Sequence, residues 1–359
     1  MPFPRRARAR YRNMFWSRTL RRNRWSIESP NPPAHTRRID QANLKERTSM
    51  QIDIVLPQVE MSGDPDEVVD FAQLIEELDF GRVVIYDHVV GAERSNRPAA
   101  LTGPYDEHSL FHEPLVLMGF LAALTKNVEL MTGVLVLPQR QTALVAKQAA
   151  EVQILSRGRM VLGVGVGWNY VEYESLGMGY AKRGAMIEDQ VAVLRRLWSE
   201  PVISVDTPHH HIDRAGIVPR PQPMPPIWFG GSSRRAYERA ARLGDGFIHP
   251  ARGEAVETAV ADIIACLHAE GREQSDFGTE FFLDVQGGRD DWARDLDRFA
   301  KLGISRVAFR TIGQGLRTFG DHMRLIEEFG NFATSHHAAT NGAMPGNGRS
   351  ADQLDGVSR

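Results

Sequence analysis

The sequence predicts an α/β protein built as a (β/α)8 TIM barrel. Eight short apolar runs follow one another between residues 50 and 333, and amphipathic stretches separate them. Near-continuous apolar runs are typical of parallel strands covered on both faces. Eight strands that alternate with helices indicate a barrel, whereas a doubly wound open sheet, the main alternative, usually has fewer strands. The runs are IDIVL, RVVIY, VELMTGVLVL, RMVLGVG, PIWFGG, DGFIHP, EFFLDV and ISRVAF.

The helices between the runs are predicted from apolar residues that step by three and four positions. Asp64-Pro65 marks the start of the first helix and Gly81 follows its end, while Ser232 and Ser233 can cap a later one. The helical spacing recurs in the stretches 68–78, 145–155, 187–198, 256–267 and 292–299.

Three segments are longer than a minimal barrel needs. Residues 88–112 follow the second strand and residues 168–182 follow the fourth, so both leave the carboxyl ends of strands, where barrel enzymes have their active sites. Residues 201–225, before the fifth strand, are predicted to form a hairpin and a proline-rich connection. Long loops in a compact domain are usually functional. We therefore expect the first two loops to decide the substrate.

Two terminal segments are predicted to lie outside the barrel domain, which spans residues 50–333. Residues 1–49 are strongly basic: the first 48 carry 12 arginines and one lysine against three acidic residues. We interpret them as a disordered extension; contact with nucleic acid or an anionic surface is the alternative. Residues 334–359 are rich in Gly, Asn, Ser and Ala and are predicted to be a disordered tail.

Three kinds of feature can be judged directly from the sequence: disulfides, membrane segments and metal sites. Cys266 is the single cysteine, which excludes an intrachain disulfide and is typical of the cytoplasm. Neither a secretory h-region nor an apolar run of about 18 residues occurs, so no membrane association is predicted.

The run from His209 to His211 resembles a metal site, but successive side chains of an extended segment point to opposite faces. We interpret it as a surface hairpin and expect no metal.

The stretch VLGVGVGWNY places Gly163, Gly165 and Gly167 at the end of the fourth apolar run. A dinucleotide-binding turn needs G-x-G-x-x-G at the start of a helix, and here the spacing is G-x-G-x-G, followed by Trp168. The glycines are therefore interpreted as the carboxyl end of the fourth strand, where the missing Cβ atoms let a flat ligand or a backbone come close. A strand merely softened by glycine is the alternative.

Four stretches, taken together in their order and spacing, resemble the bacterial luciferase-like flavin-dependent oxidoreductases. They are YDHV, the segment from MTGVLVLPQRQ to GWNYVEYESLG, RGAMIEDQVAVLRRLW and PIWFGGSSRRAYERAARLGDGFI, and they cover most of residues 50–250. The likeness is greatest to the branch that uses coenzyme F-420, a deazaflavin. The resemblance implies a usually dimeric barrel enzyme that holds a flavin-type ring in the barrel mouth and acts on a small molecule.

The resemblance also implies cofactor-binding residues. The Gly133–Val134 bond matches a non-proline cis peptide of the family, which lies behind the central ring of the cofactor. Gly165, Gly167 and Trp168 are expected beside the ring.

A phosphate site is predicted where the fifth strand meets the following helix. Gly230, Gly231 and Ser232 stand there, and backbone N–H groups at a helix N-terminus, with serine hydroxyls beside them, suit a phosphate. A plain helix cap is the alternative.

Asp87 and His88 are the candidate catalytic residues, because they end the second strand and open a long loop. In the deazaflavin-dependent sugar-phosphate dehydrogenases of the family, a histidine that matches His88 acts as the base. Those enzymes have a glutamate where this chain has Trp168. This difference argues against a sugar phosphate as the substrate and indicates an apolar or aromatic one. The alternative is that Trp168 packs against other protein residues and does not face the substrate.

Three functions follow from these observations. The first is an oxidoreductase that transfers a hydride between coenzyme F-420 and a small organic substrate. The second keeps the fold but uses reduced FMN and oxygen, as a monooxygenase acting on an alkane, sulfonate or aldehyde. The third is a flavin-binding barrel without turnover. A homodimer is expected as the assembly, and nucleic acid is not an expected partner.

Overall fold

The computed structural model describes residues 50–342. Its strands are β1 (Gln51–Val55), β2 (Arg82–Ile85), β3 (Glu129–Thr132), β4 (Leu135–Val136), β5 (Met160–Gly165), β6 (Ile203–Asp206), β7 (His211–Ala215), β8 (Ile227–Gly230), β9 (Gly246–His249), β10 (Gly278–Asp284) and β11 (Arg306–Arg310). Parallel pairing in the order β1, β2, β3, β5, β8, β9, β10, β11 returns to β1 and closes an eight-stranded barrel. Each predicted apolar run forms one barrel strand, so the predicted fold is confirmed.

Helices cover the outside of this barrel. They are α1 (Pro65–Glu77), α2 (Pro114–Leu124), α3 (Thr142–Leu155), α4 (Tyr170–Ser175), α5 (Arg183–Ser199), α6 (Arg234–Leu243), α7 (Ala255–Ala269), α8 (Gly288–Lys301) and α9 (Phe319–Gly342). Single 3-10 turns occur at Gln58–Glu60, Leu137–Gln139 and Gln274–Asp276. None of the helices in the described part of the chain is long and apolar enough to cross a membrane.

The predicted helix starts are confirmed at two positions. Asp64 caps α1 by accepting a hydrogen bond from the Asp66 N–H, with Pro65 at the first helical position. Ser233 caps α6 through the N–H of Ala236. Ser232 does not take part in this cap, so its exposed hydroxyl stays available at the helix N-terminus.

The predicted hairpin before the fifth barrel strand is also confirmed, because β6 and β7 pair antiparallel. The three adjacent histidines do not converge: His209 and His210 lie in the turn of the hairpin, where His210 contacts Asp189 and Thr142, whereas His211 begins β7 and is exposed. Within residues 50–342, no group of three or more histidine, cysteine, aspartate or glutamate side chains could hold a metal ion.

The structure differs from the sequence prediction at two places. The long segment 168–182 contains the short helix α4, which Asn169 caps. Helix α9 continues to Gly342, past the boundary that composition predicts at residue 334. His336, past that boundary, lies 3.0 Å from Asp297 of α8 and stacks on the ring of Phe332, so tertiary contacts of the helix continue beyond residue 334. The predicted basic extension and the remainder of the predicted tail lie outside the described residues.

A buried ionic layer lies inside the amino end of the barrel. Arg82 contacts Glu280 and Glu129 at 2.8 Å each, and Arg306 contacts Asp53 at 2.6 Å. Above this layer the interior is apolar, with inward side chains that include Val55, Val84, Met131, Ile248 and Phe282. These two filled layers leave the carboxyl end of the strands as the place for a ligand.

Candidate active site

The barrel mouth has an apolar surface built around Val134. The peptide bond Gly133–Val134 is cis, as the resemblance implies. Gly165 and Gly230 flank the Val134 side chain: a Cβ on Gly165 would lie 2.4 Å from Cγ2 of Val134, and one on Gly230 would lie 2.6 Å from Cγ1. The two glycines are therefore needed because Val134 occupies the space of a side chain. Gly133 is needed for the same reason, since its Cβ would lie 2.2 Å from Val84.

The same packing continues at the end of β5. Gly167 has a φ of +61°, and a Cβ there would lie 2.6 Å from Val136. Trp168 follows, and its indole lies where a Cβ of Gly103 would be, so the two long loops interlock at this point. The glycines of the GVGVGW stretch thus make room for neighbouring protein atoms, and contact with a cofactor ring stays a prediction.

The imidazole of His88 packs against three aromatic rings. Its imidazole centroid is 4.8 Å from the ring of Phe111, 5.4 Å from Tyr105 and 5.5 Å from Trp168, each in an edge-to-face arrangement. Tyr105 and Phe111 also pack on the apolar interior of the barrel. The long loop after β2 therefore supplies one wall of the mouth, and the loop after β5 supplies another.

Glu172 on α4 holds the imidazole of His88. Its carboxylate Oε2 lies 3.1 Å from Nδ1 of His88, and Oε1 accepts hydrogen bonds from the N–H groups of Val89 and Val90. The Glu172 side chain is 1% exposed. Burial alone would raise the pKa of this carboxyl group, but the hydrogen bonds from His88 and the two backbone N–H groups outweigh burial and leave the pKa lowered.

Asp87 is buried, and both of its carboxylate oxygens are occupied by protein groups. Oδ1 lies 2.7 Å from the Arg140 guanidinium, and Oδ2 accepts a hydrogen bond of 2.8 Å from the N–H of Val136. Burial raises the pKa of Asp87, and Arg140 opposes that rise. Arg140 also contacts Glu113, the N-cap of α2. Asp87 thus ties the end of β2 to the segment that contains Val134.

The glycine-serine turn after β8 lies at the same end of the barrel. Gly231 has a φ of +145°, a conformation that residues with a Cβ rarely adopt. Ser232 is exposed, and α6 starts two residues later. The orphan N–H groups of the first helical turn are therefore close to a segment of small residues with a serine hydroxyl.

The opposite side of the mouth is aromatic and charged. Tyr86 lies 6.3 Å from Phe282, and Arg310 lies over the Phe282 ring. Asp284, at the end of β10, contacts Arg310 at 2.6 Å and Arg252 at 3.0 Å. The mouth therefore has one half lined by glycine and valine and another half that offers rings and ionic groups.

All of the residues predicted for the site lie at the carboxyl ends of barrel strands, in two groups. Val134, Gly165 and Gly230 meet on one side, and His88 and Trp168 meet on the other. Sequence reasoning missed Glu172, Arg140, Tyr105 and Phe111. Only Glu172 had a local signal, because Asn169 in NYVEYES is a good helix cap that would have placed a short helix there.

The family model described as luciferase-like monooxygenase matches residues 48–338. An FMNH2-dependent dimethylsulfone monooxygenase of Pseudomonas fluorescens is 27% identical over 215 residues, which are 58% of this chain and 56% of the relative. An F420-dependent glucose-6-phosphate dehydrogenase of Nakamurella multipartita is 30% identical over 188 residues, 51% of this chain and 52% of the relative. The chain thus spans about half the length of these two relatives.

Similar architecture is found among solved structures. The coenzyme F420-dependent tetrahydromethanopterin reductase of Methanopyrus kandleri superposes with a TM-score of 0.63 over 80% of this chain and 99% of the other, at 14% identity. At 14% identity, this similarity shows that the two proteins share a fold.

Proposed function

The chain belongs to the luciferase-like monooxygenase family of flavin- or deazaflavin-dependent oxidoreductases, and from this premise we propose that it transfers a hydride between coenzyme F-420 and a small organic substrate. The observation that carries the proposal is the placement of His88. Its Nδ1 is held by Glu172, no other described residue hydrogen-bonds its Nε2, and it lies at the barrel mouth with its ring centroid 5.5 Å from that of Trp168. An imidazole with one ring nitrogen held and the other open to a ligand can act as a general acid or base.

The glycine-lined half of the mouth fits the flat ring of the cofactor. Val134, Gly165 and Gly230 present no long side chain there, so a ring can approach the ends of β4, β5 and β8. When bound, the deazaflavin would accept or donate the hydride. The protein residues bind and orient it.

His88 is the proposed catalytic residue. In the direction of substrate oxidation the reacting group is an alcohol: the C–H electron pair leaves with the hydride, the hydroxyl proton moves to Nε2 of His88, and the O–H bonding pair becomes the second C–O bond of the carbonyl product. Asp87 is better suited to positioning than to proton exchange, because Arg140 and Val136 occupy both of its oxygens. Its proposed role is to hold the segment around Val134.

The proposed substrate is apolar or aromatic. Tyr105, Phe111 and Trp168 supply ring surfaces around the imidazole, and Tyr86 packs against Tyr105. Aromatic side chains bind apolar molecules through area burial and through edge contacts.

The proposed phosphate site of the cofactor is the start of α6. Gly231 and Ser232 leave the first helical turn accessible, and the positive end of the helix dipole favours an anion there.

The second candidate is an FMNH2-dependent monooxygenase. The similarity to the dimethylsulfone monooxygenase favours it, and the apolar surface at Val134 would accommodate an FMN ring equally well. The two candidates differ in their need for oxygen.

The experiment is a cofactor titration followed by turnover with and without oxygen. We expect coenzyme F-420 to bind with a change in its absorbance and turnover to persist without oxygen. Binding of FMN alone, with turnover that stops when oxygen is removed, would establish the second candidate instead.

The same assay tests His88. We expect His88→Ala to lower turnover by roughly 10²–10⁴-fold while cofactor affinity changes little, because the Val134 surface and the α6 turn remain. His108→Ala is the matched control, since His108 is an exposed histidine of the same loop. Unchanged turnover in His88→Ala would show that the proton is exchanged elsewhere.

We also propose a homodimer formed through α2 and α3. These neighbouring helices expose Val116, Phe120, Leu144, Ile154 and Leu155. An exposed apolar face on two adjacent helices is typical of a subunit interface.

A further inference from the structure

Glu172 connects the two long loops at the barrel mouth. It belongs to the loop after β5, yet the hydrogen bonds that its carboxylate makes within residues 50–342 all go to the loop after β2, namely to Nδ1 of His88 and the N–H groups of Val89 and Val90. Asn169 accepts hydrogen bonds from the Val171 and Glu172 N–H groups and so fixes the start of the helix that carries Glu172. The Glu172 carboxylate is thus fixed in position by the loop after β2, which it contacts, and by the capped helix α4, which carries it.

The chemistry of a carboxylate determines the proton position on His88. An ionised carboxylate can only accept hydrogen bonds, and it lies 3.1 Å from Nδ1. Nδ1 must therefore carry a proton for the contact to be favourable. In a neutral imidazole this leaves Nε2 with the free lone pair.

We propose that Glu172 is a positioning residue that keeps His88 in the Nδ1–H tautomer and thereby makes Nε2 the nitrogen that exchanges the proton with the substrate. This inference rests on the proposed catalytic role of His88. When the substrate proton arrives on Nε2, the carboxylate also stabilises the resulting imidazolium, because the opposite charges lie in contact at a site shielded from water.

The other groups around His88 do not replace this carboxylate. Phe111 and Trp168 carry no titratable group. Burial raises the pKa of Tyr105, so its hydroxyl stays neutral near pH 7. Asp87 is adjacent in sequence but is paired with Arg140.

The first test reads the tautomer directly and needs no turnover. Long-range 1H–15N correlation spectra of the full chain distinguish the protonated ring nitrogen from the bare one, and the His88 signals among the 12 histidines are those lost in His88→Ala. We expect neutral His88 to carry its proton on Nδ1. In Glu172→Gln we expect the Nε2–H tautomer to become populated, because the amide oxygen can take over the Val89 and Val90 N–H groups while the amide N–H group faces Nδ1. A wild-type His88 protonated on Nε2, or an unchanged tautomer in the variant, overturns the proposal.

The second test uses kinetics. We expect Glu172→Gln to lower kcat at pH 7, by up to the roughly 10²–10⁴-fold expected for loss of the base itself, to leave KM within about two-fold, and to move the acid limb of the kcat–pH profile to lower pH. Glu174→Gln, an exposed glutamate of the same helix, is the matched control and should behave as wild type. A pH profile that does not move overturns the proposal. If the wild-type protein shows no turnover with a deazaflavin, the proposed function fails while the NMR arm still decides the role of Glu172.

Discussion

Val134 explains why glycine recurs at the barrel mouth. Its side chain occupies the space that a Cβ on Gly165 or Gly230 would need, so residues of two further strands are restricted by one valine. Because valine is β-branched and stiff at χ1, it cannot rotate away without cost. The glycines are therefore a packing requirement of the site as much as an access route for a ligand.

This reasoning predicts that Gly165→Ala destabilises the fold by about 1–3 kcal/mol, the usual cost of overpacking. The second substitution Val134→Ala should recover most of that loss, since it removes the methyl group that lies 2.4 Å from the new Cβ. The measurement is the free energy of unfolding in urea.

Gly119→Ala is the control for this pair, because, apart from its own stretch of helix backbone, no atom of the described residues lies within 4 Å of a Cβ at that position. It should be neutral or stabilising. A stable Gly165→Ala, or a double variant no more stable than the single one, would show that Val134 does not restrict position 165.

At the scale of elements, the strand-to-helix and strand-to-loop junctions carry the site. The loop after β2 and the loop after β5 interlock through Trp168 and Gly103 and through Glu172 and His88. The junction between β8 and α6 is separate from both and places Ser232 at a helix N-terminus. The proposed chemistry and the proposed phosphate site can therefore be perturbed independently.

We accordingly predict that Ser232→Glu weakens cofactor binding by on the order of 10-fold or more, or about 1.4 kcal/mol, because the new charge would repel a phosphate. The melting temperature should stay constant or rise, since an acidic residue near a helix N-terminus is favourable. Titration of the cofactor absorbance measures the affinity.

Ser335→Glu, an exposed serine on α9, controls for the added charge. If Ser232→Glu binds the cofactor as tightly as the control does, the phosphate lies elsewhere.

At the scale of the whole molecule, the two halves of the core have separate roles. The ionic layer fills the amino end of the barrel. Removing one residue of the pair Arg82–Glu280 or Arg306–Asp53 would leave its partner as an unpaired buried charge. The carboxyl end carries the candidate site. The outer face of α2 and α3 has exposed apolar residues that no other part of residues 50–342 covers.

A homodimer through that face is expected to give a solution mass of about twice the 40.2 kDa chain mass. Leu155→Glu should shift the population toward the monomer, because Leu155 is 60% exposed on the proposed interface and a buried charge there would be unpaired. Light scattering coupled to size-exclusion chromatography measures the mass.

Val202→Glu, at an exposed valine beside the β6–β7 hairpin, should not change the mass. A wild-type monomer at high concentration, or a Leu155→Glu dimer as stable as wild type, would contradict this interface.

The sequence by itself determined the fold class, the eight barrel strands, the starts of α1 and α6 and the hairpin before the fifth barrel strand. These features depend on local signals: apolar periodicity, capping residues and turn residues act within a few positions of the chain. The same signals placed His88, Val134 and the glycines at strand ends.

Only the tertiary structure decided what those residues contact. Glu172 and His88 are 84 positions apart, and Arg140 and Asp87 are 53 apart, so no periodicity of either segment reveals the pairing. The contacts arise because barrel closure brings the carboxyl ends of β2 and β5 to the same mouth, where burial makes each charged side chain require a partner.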